Sequence, residues 1–210
     1  MNITAPALTF PARAFPAQQA GAPAGVVGEL GFSALLGRYS TLVKAQKVFY
    51  TSAAVASPVI FSNGAPISPV LWNKPGSGID AYLLGVSVGS PTVATSVAGS
   101  WGWMQNIQSA QPTATITNLL VQNAYAGGGP SALGGVLTTT GLVGILPAPV
   151  FVPLIGVNTG AVTTQVINGG YVDVGGMFIV GPGNMGCLTV SATLTSGAFT
   201  VGLMWAELPQ

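Results

Sequence analysis

From Val48 onward apolar and polar positions alternate along much of the chain, and a period of two predicts strands. The clearest case is the last. Phe199, Val201, Leu203 and Trp205 share one face there, with Thr200, Gly202 and Met204 on the other. Ile79 to Val88 alternates through Tyr82, Leu84, Val86 and Val88 and predicts a central strand. Val48–Val55, Ser100–Gln105, Thr113–Val121, Ala161–Ile167, Tyr171–Val180 and Cys187–Leu194 read as further strands. The most hydrophobic run, Gly141 to Val157, contains Pro147, Pro149 and Pro153, which would break the hydrogen-bond ladder of a membrane helix. It predicts two short strands around a proline corner. Turns are legible at Asn73–Gly78, at Gly127–Pro130, at Asn168–Gly170 as a tight hairpin, and at Gly181–Asn184. Short strands at even spacing predict an all-β domain, a jelly-roll-like β-sandwich of about eight strands.

Residues 1–47 break this pattern. Pro6, Pro11, Pro16 and Pro23 punctuate them, and Ile3, Leu8, Phe10 and Phe15 are apolar without a helical or strand period. The segment predicts an extended N-terminal arm that gains order on a partner surface. A short helix is expected over Val26 to Leu36, although Gly28 and Gly31 fall inside it. The arm also holds four of the five basic residues, Arg13, Arg38, Lys44 and Lys47. With Phe10 and Phe15 these are the candidate docking residues. The organisation expected is an arm or anchor over 1–47 and a β-domain over 48–210. Met1 to Phe15 lacks the charged start and apolar core of a secretory signal.

Composition narrows the chemistry. Charged residues make up 4% of the chain, against about 25% in ordinary domains, and there is no histidine. A histidine base, a His-rich metal site and a carboxylate cluster are therefore unavailable. A net charge of +1 argues against a nucleic-acid face. Asp80 and Asp173 could serve a glycosidase only if the fold set them about 5–10 Å apart, and nothing in their spacing does so. The glycine-rich stretch Ala126–Gly135 lacks the Lys-Ser/Thr of a phosphate loop. Cys187, the one cysteine, lies in an apolar strand and reads as a small buried hydrophobe. No enzyme activity, cofactor or metal is expected. Aromatic faces suit sugar rings, which makes Trp72, Trp101 and Trp103 candidate surface aromatics for a glycan, whereas Trp205 belongs to a core stripe. Thirty glycines and sixteen prolines disfavour long helices. A chain this poor in charge either hides much of its surface in an assembly or covers it with neutral polar groups.

Several segments carry a resemblance. Leu36–Gly37–Arg38–Tyr39 and Val48–Phe49–Tyr50–Thr51–Ser52 open the β-region. Leu71–Trp72–Asn73–Lys74–Pro75–Gly76–Ser77–Gly78 leads into Ala81–Gly89. Val180–Gly181–Pro182–Gly183 stands near the end, and the chain closes on Leu203–Met204–Trp205–Ala206–Glu207–Leu208–Pro209. In this order, over roughly 36 to 210, the chain resembles small jelly-roll structural proteins of tailed bacteriophage particles. The resemblance implies a virion protein, often a homotrimer, of the capsid decoration (cement) or head-fibre type. A decoration protein would dock on major capsid or other virion proteins through its arm and meet its own copies through the β-domain. The alternatives are a head or tail fibre or spike that binds a host receptor or glycan, and an outer-membrane β-barrel. A barrel would have regular hairpins and strands of about 9–11 residues, and the strands here read as shorter. A coat protein of the common tailed-phage shell type would be larger and richer in helix.

Overall fold

The computed structural model describes residues 38–56, 67–93, 98–107, 113–133, 135–143, 152–158, 165–191 and 198–210. The chain divides into two units, Met1–Ala45 and Gln46–Gln210. The described part of the first holds one short helix, α1 (Ser40–Lys44), which buries no residue. The helix predicted over Val26–Leu36 lies outside the described residues, as do Phe10, Arg13 and Phe15.

The second unit is all β. Its strands are β1 (Val48–Ala56), β2 (Ile67–Asn73), β3 (Ile79–Val93), β4 (Ala98–Ile107), β5 (Thr113–Asn118), β6 (Gln122–Asn123), β7 (Gly135–Val143), β8 (Val152–Asn158), β9 (Gln165–Val180), β10 (Asn184–Val190) and β11 (Ala198–Pro209). They form two antiparallel sheets. The first has the order β6-β1-β11-β3-β9 and the second β5-β7-β2-β10-β4-β8. Four pairings explain that order: β1 with β11, β2 with β10, β3 with β9, and β4 with β8. First meets last, second meets second-to-last, and so on to the middle. The chain is one long antiparallel hairpin rolled up so that successive pairs fall in alternate sheets, which is the jelly-roll topology. Eight strands build the roll, as the sequence predicts. The other three, β5 to β7, are inserted at its far end between β4 and β8 and add to the outer edges of both sheets.

Alternation places the core. Phe199, Val201, Leu203 and Trp205 of β11 face inward with Leu83, Val86 and Val88 of β3. Leu71 of β2, Trp101 and Trp103 of β4, and Leu188 and Val190 of β10 meet them from the second sheet. Aromatic rings pack within the core: Trp101 meets Phe199 edge-on at 5.7 Å, and Phe49 stacks on Trp205 at 6.1 Å. The strand β10 is buried on both faces from Met185 to Val190, which accounts for its mostly apolar run, broken only by Thr189.

The structure corrects several expectations. The strands are not uniformly short, since β3, β9 and β11 have 15, 16 and 12 residues. Asn168–Gly170 is not a hairpin. The strand β9 runs through it, and Gly170 lies opposite Val88 of β3 beside a register shift. Glycines here serve an irregular strand and not a turn. The strand β2 is not among those the alternation predicts, and it contains Pro69, a residue that disfavours a central strand. It is nevertheless central, and its pairing with β7 is irregular between Ile67 and Val70, where the proline has no N–H to donate. Among the described strands the two sheets keep separate orders with four open edges, β6, β9, β5 and β8, so they do not close into the barrel raised as an alternative.

Candidate functional site

The three tryptophans proposed as a glycan surface are buried. Trp101 and Trp103 are each 1% exposed and Trp72 is 8% exposed. Their strand positions dictate this. Trp101 and Trp103 lie opposite Val190 and Leu188 of β10, on the face turned toward the first sheet. Trp72 lies opposite Met185 on the other face of the same sheet, next to residues that are also buried. The Trp103 ring occupies the space above Gly186, where any side chain would overlap it. Its indole N–H donates to Gln105 Oε1 at 3.0 Å, and its ring lies 6.4 Å from that of Phe178. The Trp101 N–H has no hydrogen-bond partner among the described residues. Trp101 and Trp103 cannot stack on a sugar without opening the sandwich, and Trp72 exposes too little of its ring to offer a face. Gly102, between Trp101 and Trp103, lies opposite the buried Thr189.

The described basic residues of the candidate docking set are exposed. Arg38, Lys44 and Lys47 all reach the surface, and the Arg38 guanidinium lies 5.6 Å from the Tyr39 ring centroid. Lys44 closes the last turn of α1. Lys47 immediately precedes β1, and its carbonyl accepts the Glu207 N–H at 2.8 Å.

The fold does not bring Asp80 and Asp173 together. Asp80 is in register with Leu208, and Asp173 with Gly85, so five residues of β3 separate them. At ~3.4 Å per residue that is about 17 Å, beyond the spacing of a glycosidase pair. Cys187 is buried, and desolvation pushes its thiol up to about 12, so it remains protonated at neutral pH. Among the described residues no group of three or more His, Cys, Asp or Glu side chains converges on a common point.

Sequence reasoning overlooked two polar centres. The first is Glu207, which continues the inward stripe of β11 beyond Trp205 and is buried. Its carboxylate accepts from the Trp205 indole N–H at 3.0 Å, the Ala132 N–H at 2.7 Å and the Ser131 hydroxyl. Ser131 Oγ in turn accepts from the Leu133 N–H at 3.2 Å. The last strand thereby fastens the segment leading to β7 over the end of the sandwich. Asn123 orders the same segment by donating to the carbonyls of Gln46 and Gly129 and accepting from the Tyr125 N–H. The residues Gly127–Pro130, expected only as a break, belong to this built cap.

The second centre is Asn73, which is wholly buried. Its side-chain NH₂ donates to the carbonyls of Ile79 and Val180, both at 2.8 Å, while its backbone carbonyl accepts the Gly183 N–H at 2.8 Å. One side chain thus ties the turn after β2 to the turn after β9. The asparagine of the L-W-N-x-x-G-S-G segment is a fastener, and the glycines after it turn the chain back into β3. Nothing in residue spacing marks Asn73 or Glu207 as buried. Each needs the rolled topology to bring its partners near.

Family models, curated proteins and solved structures compared with the chain give no match.

Proposed function

We propose that the chain is a structural protein of a bacteriophage particle, most specifically a capsid decoration (cement) protein. It docks on the shell through its N-terminal arm and meets its own copies, as a homotrimer, through the β-domain. The observation that supports this reading best is the placement of charge on the rolled hairpin. Of the seven charged residues among those described, only Asp80, Asp173 and Glu207 lie on strands, and Glu207 is buried. A sandwich whose faces and edges carry so little charge is suited to contact with neighbours over much of its surface. Jelly rolls recur in viral capsids, though the fold alone does not assign a function. Many copies on a symmetric lattice gain avidity from weak single contacts. The arm would supply those contacts, with Arg38, Lys44 and Lys47 as its described cations.

The test is location. Particles of the encoding phage are purified on a density gradient and labelled with antibody to the β-domain. Label spread over the shell supports decoration, and loss of shell binding on removal of residues 1–47 supports docking by the arm. Label confined to vertices or tail moves the assignment to a fibre or spike. Absence from the particle overturns the virion reading.

A further inference from the structure

The exposed large hydrophobic side chains among the described residues are not scattered. Five of the eight, Ile107, Val152, Tyr171, Met177 and Ile179, lie on β4, β8 and β9. These strands come together on one side of the sandwich. There β9 is the open edge of the first sheet and β8 that of the second, with β4 paired to β8. Gln105 of β4 donates its amide N–H to the Ile179 carbonyl at 2.9 Å, which joins the two sheets at this side.

The edge strand β9 has an unusual course. Phe178 is in register with Leu83 and Asp173 with Gly85, so residues 174–177 together oppose Leu84 alone. This bulge turns through Gly175 and Gly176, at φ 64° and 82°, a left-handed conformation that side chains disfavour. Met177 leaves the bulge 73% exposed, with Ile107 at 74% on the end of β4. The bulge interrupts the edge, so an added strand cannot pair along its whole length. Recognition here falls to side chains and not to open-ended strand addition, which favours a discrete assembly over a fibre.

We infer that the β8–β9 side, with Met177 and Ile179 at its centre, is the surface through which the chain binds a second copy of itself. This rests on the reading that the protein works as an assembly of its own copies. Area and charge favour this occupant. Summed along this side, the five side chains expose on the order of 500 Å², against the ~800 Å² per partner that a standard interface covers. The three strands contain one charged residue, Asp173. A strongly charged partner finds almost nothing there to pair with, whereas the chain's own strands are similarly poor in charge. Methionine and tyrosine are also enriched at interfaces.

The test is sedimentation velocity of the full chain in detergent-free buffer across about 1–100 µM, a range bracketing the affinity of a modest interface. Wild type should form a discrete oligomer. The double variant Met177→Asp/Ile179→Lys should raise the dissociation constant at least about tenfold. Leu120→Asp, on the loop between β5 and β6, should leave it unchanged. Association of the double variant at wild-type strength overturns this surface and leaves self-assembly standing through another. Equal weakening by Leu120→Asp also overturns it. A wild type that stays monomeric throughout overturns self-assembly as well, while docking on the shell is judged separately by particle labelling. Should the double variant fail to fold, Met177→Cys carrying a nitroxide label answers the same question, because the buried Cys187 will not react. Its spectrum should broaden as concentration rises, and an unchanged spectrum refutes the proposal.

Discussion

Removing the Glu207 carboxylate should destabilise the β-unit by several kcal/mol without unfolding it. In Glu207→Ala the Trp205 indole N–H loses its acceptor in a fully buried position, at a cost of about 1–3 kcal/mol. The Ala132 N–H and Ser131 hydroxyl lose theirs as well, but both bonds are only part-buried and water can reach the donors, so each adds about 0.5–1 kcal/mol. The truncated side chain leaves a small void that water from the loop can fill. The total is about 3 kcal/mol, a large share of the roughly 5–15 kcal/mol that holds a domain together. For a unit of this size that lowers Tm by about 6–12 °C. Glu207→Gln keeps one acceptor but turns an NH₂ toward a donor, so it should cost about half as much. Urea unfolding followed by tryptophan fluorescence measures both. A loss below about 0.5 kcal/mol in Glu207→Ala would show that the donors find other partners, and the fastening role would fall.

Three further outcomes are expected. Gly186→Ala drives a methyl into the Trp103 ring and should cost about 1–3 kcal/mol, with a changed near-UV circular dichroism signal reporting the displaced indole; an unaltered spectrum would contradict the packing. Asn73→Ala strands the Ile79 and Val180 carbonyls and should cost about 2–4 kcal/mol in a denaturant titration, while a neutral result would mean that water replaces the amide. Cys187 gives a pH signature, because its folded pKa of about 12 lies above the reference value of 9.0. Its contribution is fully present below pH 9 and is lost as pH rises from about 9 toward 12, since only the unfolded thiol ionises there, with a slope near 1.4 kcal/mol per pH unit. Cys187→Ala should flatten that part of the stability curve relative to wild type, and identical alkaline slopes would refute the assignment.

How legible each element was depended on whether local pattern or distant pairing set it. The strand β11 was plain because one face is core and the other solvent, so alternation survives from Phe199 to Trp205. The start of β10 was harder, since both faces are buried and its run carries no period. The strand β2, which contains Pro69, went unpredicted, and Asn168–Gly170 imitated a hairpin inside β9. In both cases a residue that usually ends a strand instead marks an irregularity within one. The candidate surface fared worse. Trp101 and Trp103 share a face by their spacing, but only the pairing with Val190 and Leu188 makes that face the inner one. Glu207 and Asn73 looked like an ordinary strand end and turn residue. Their acceptors and donors are supplied from 75 and 107 positions away in the chain.

The pairing of the first strand with the last also governs how the domain forms. Val48 lies opposite Ala206, so their contact must close a loop that contains most of the β-unit. Nested inside it are the pairings of β2 with β10 and β3 with β9, each long-range as well. Such high contact order places folding in the slow class, milliseconds to seconds and beyond, because chain entropy is lost before the contacts repay it. During synthesis β1 waits on the ribosome without its partner until β11 emerges, and its apolar face is open to misassembly in that interval. Once the roll has closed, the same nesting works in the other direction. No pair in the middle can separate without disturbing the ones around it, so opening the roll is expected to be a concerted event with a correspondingly high barrier.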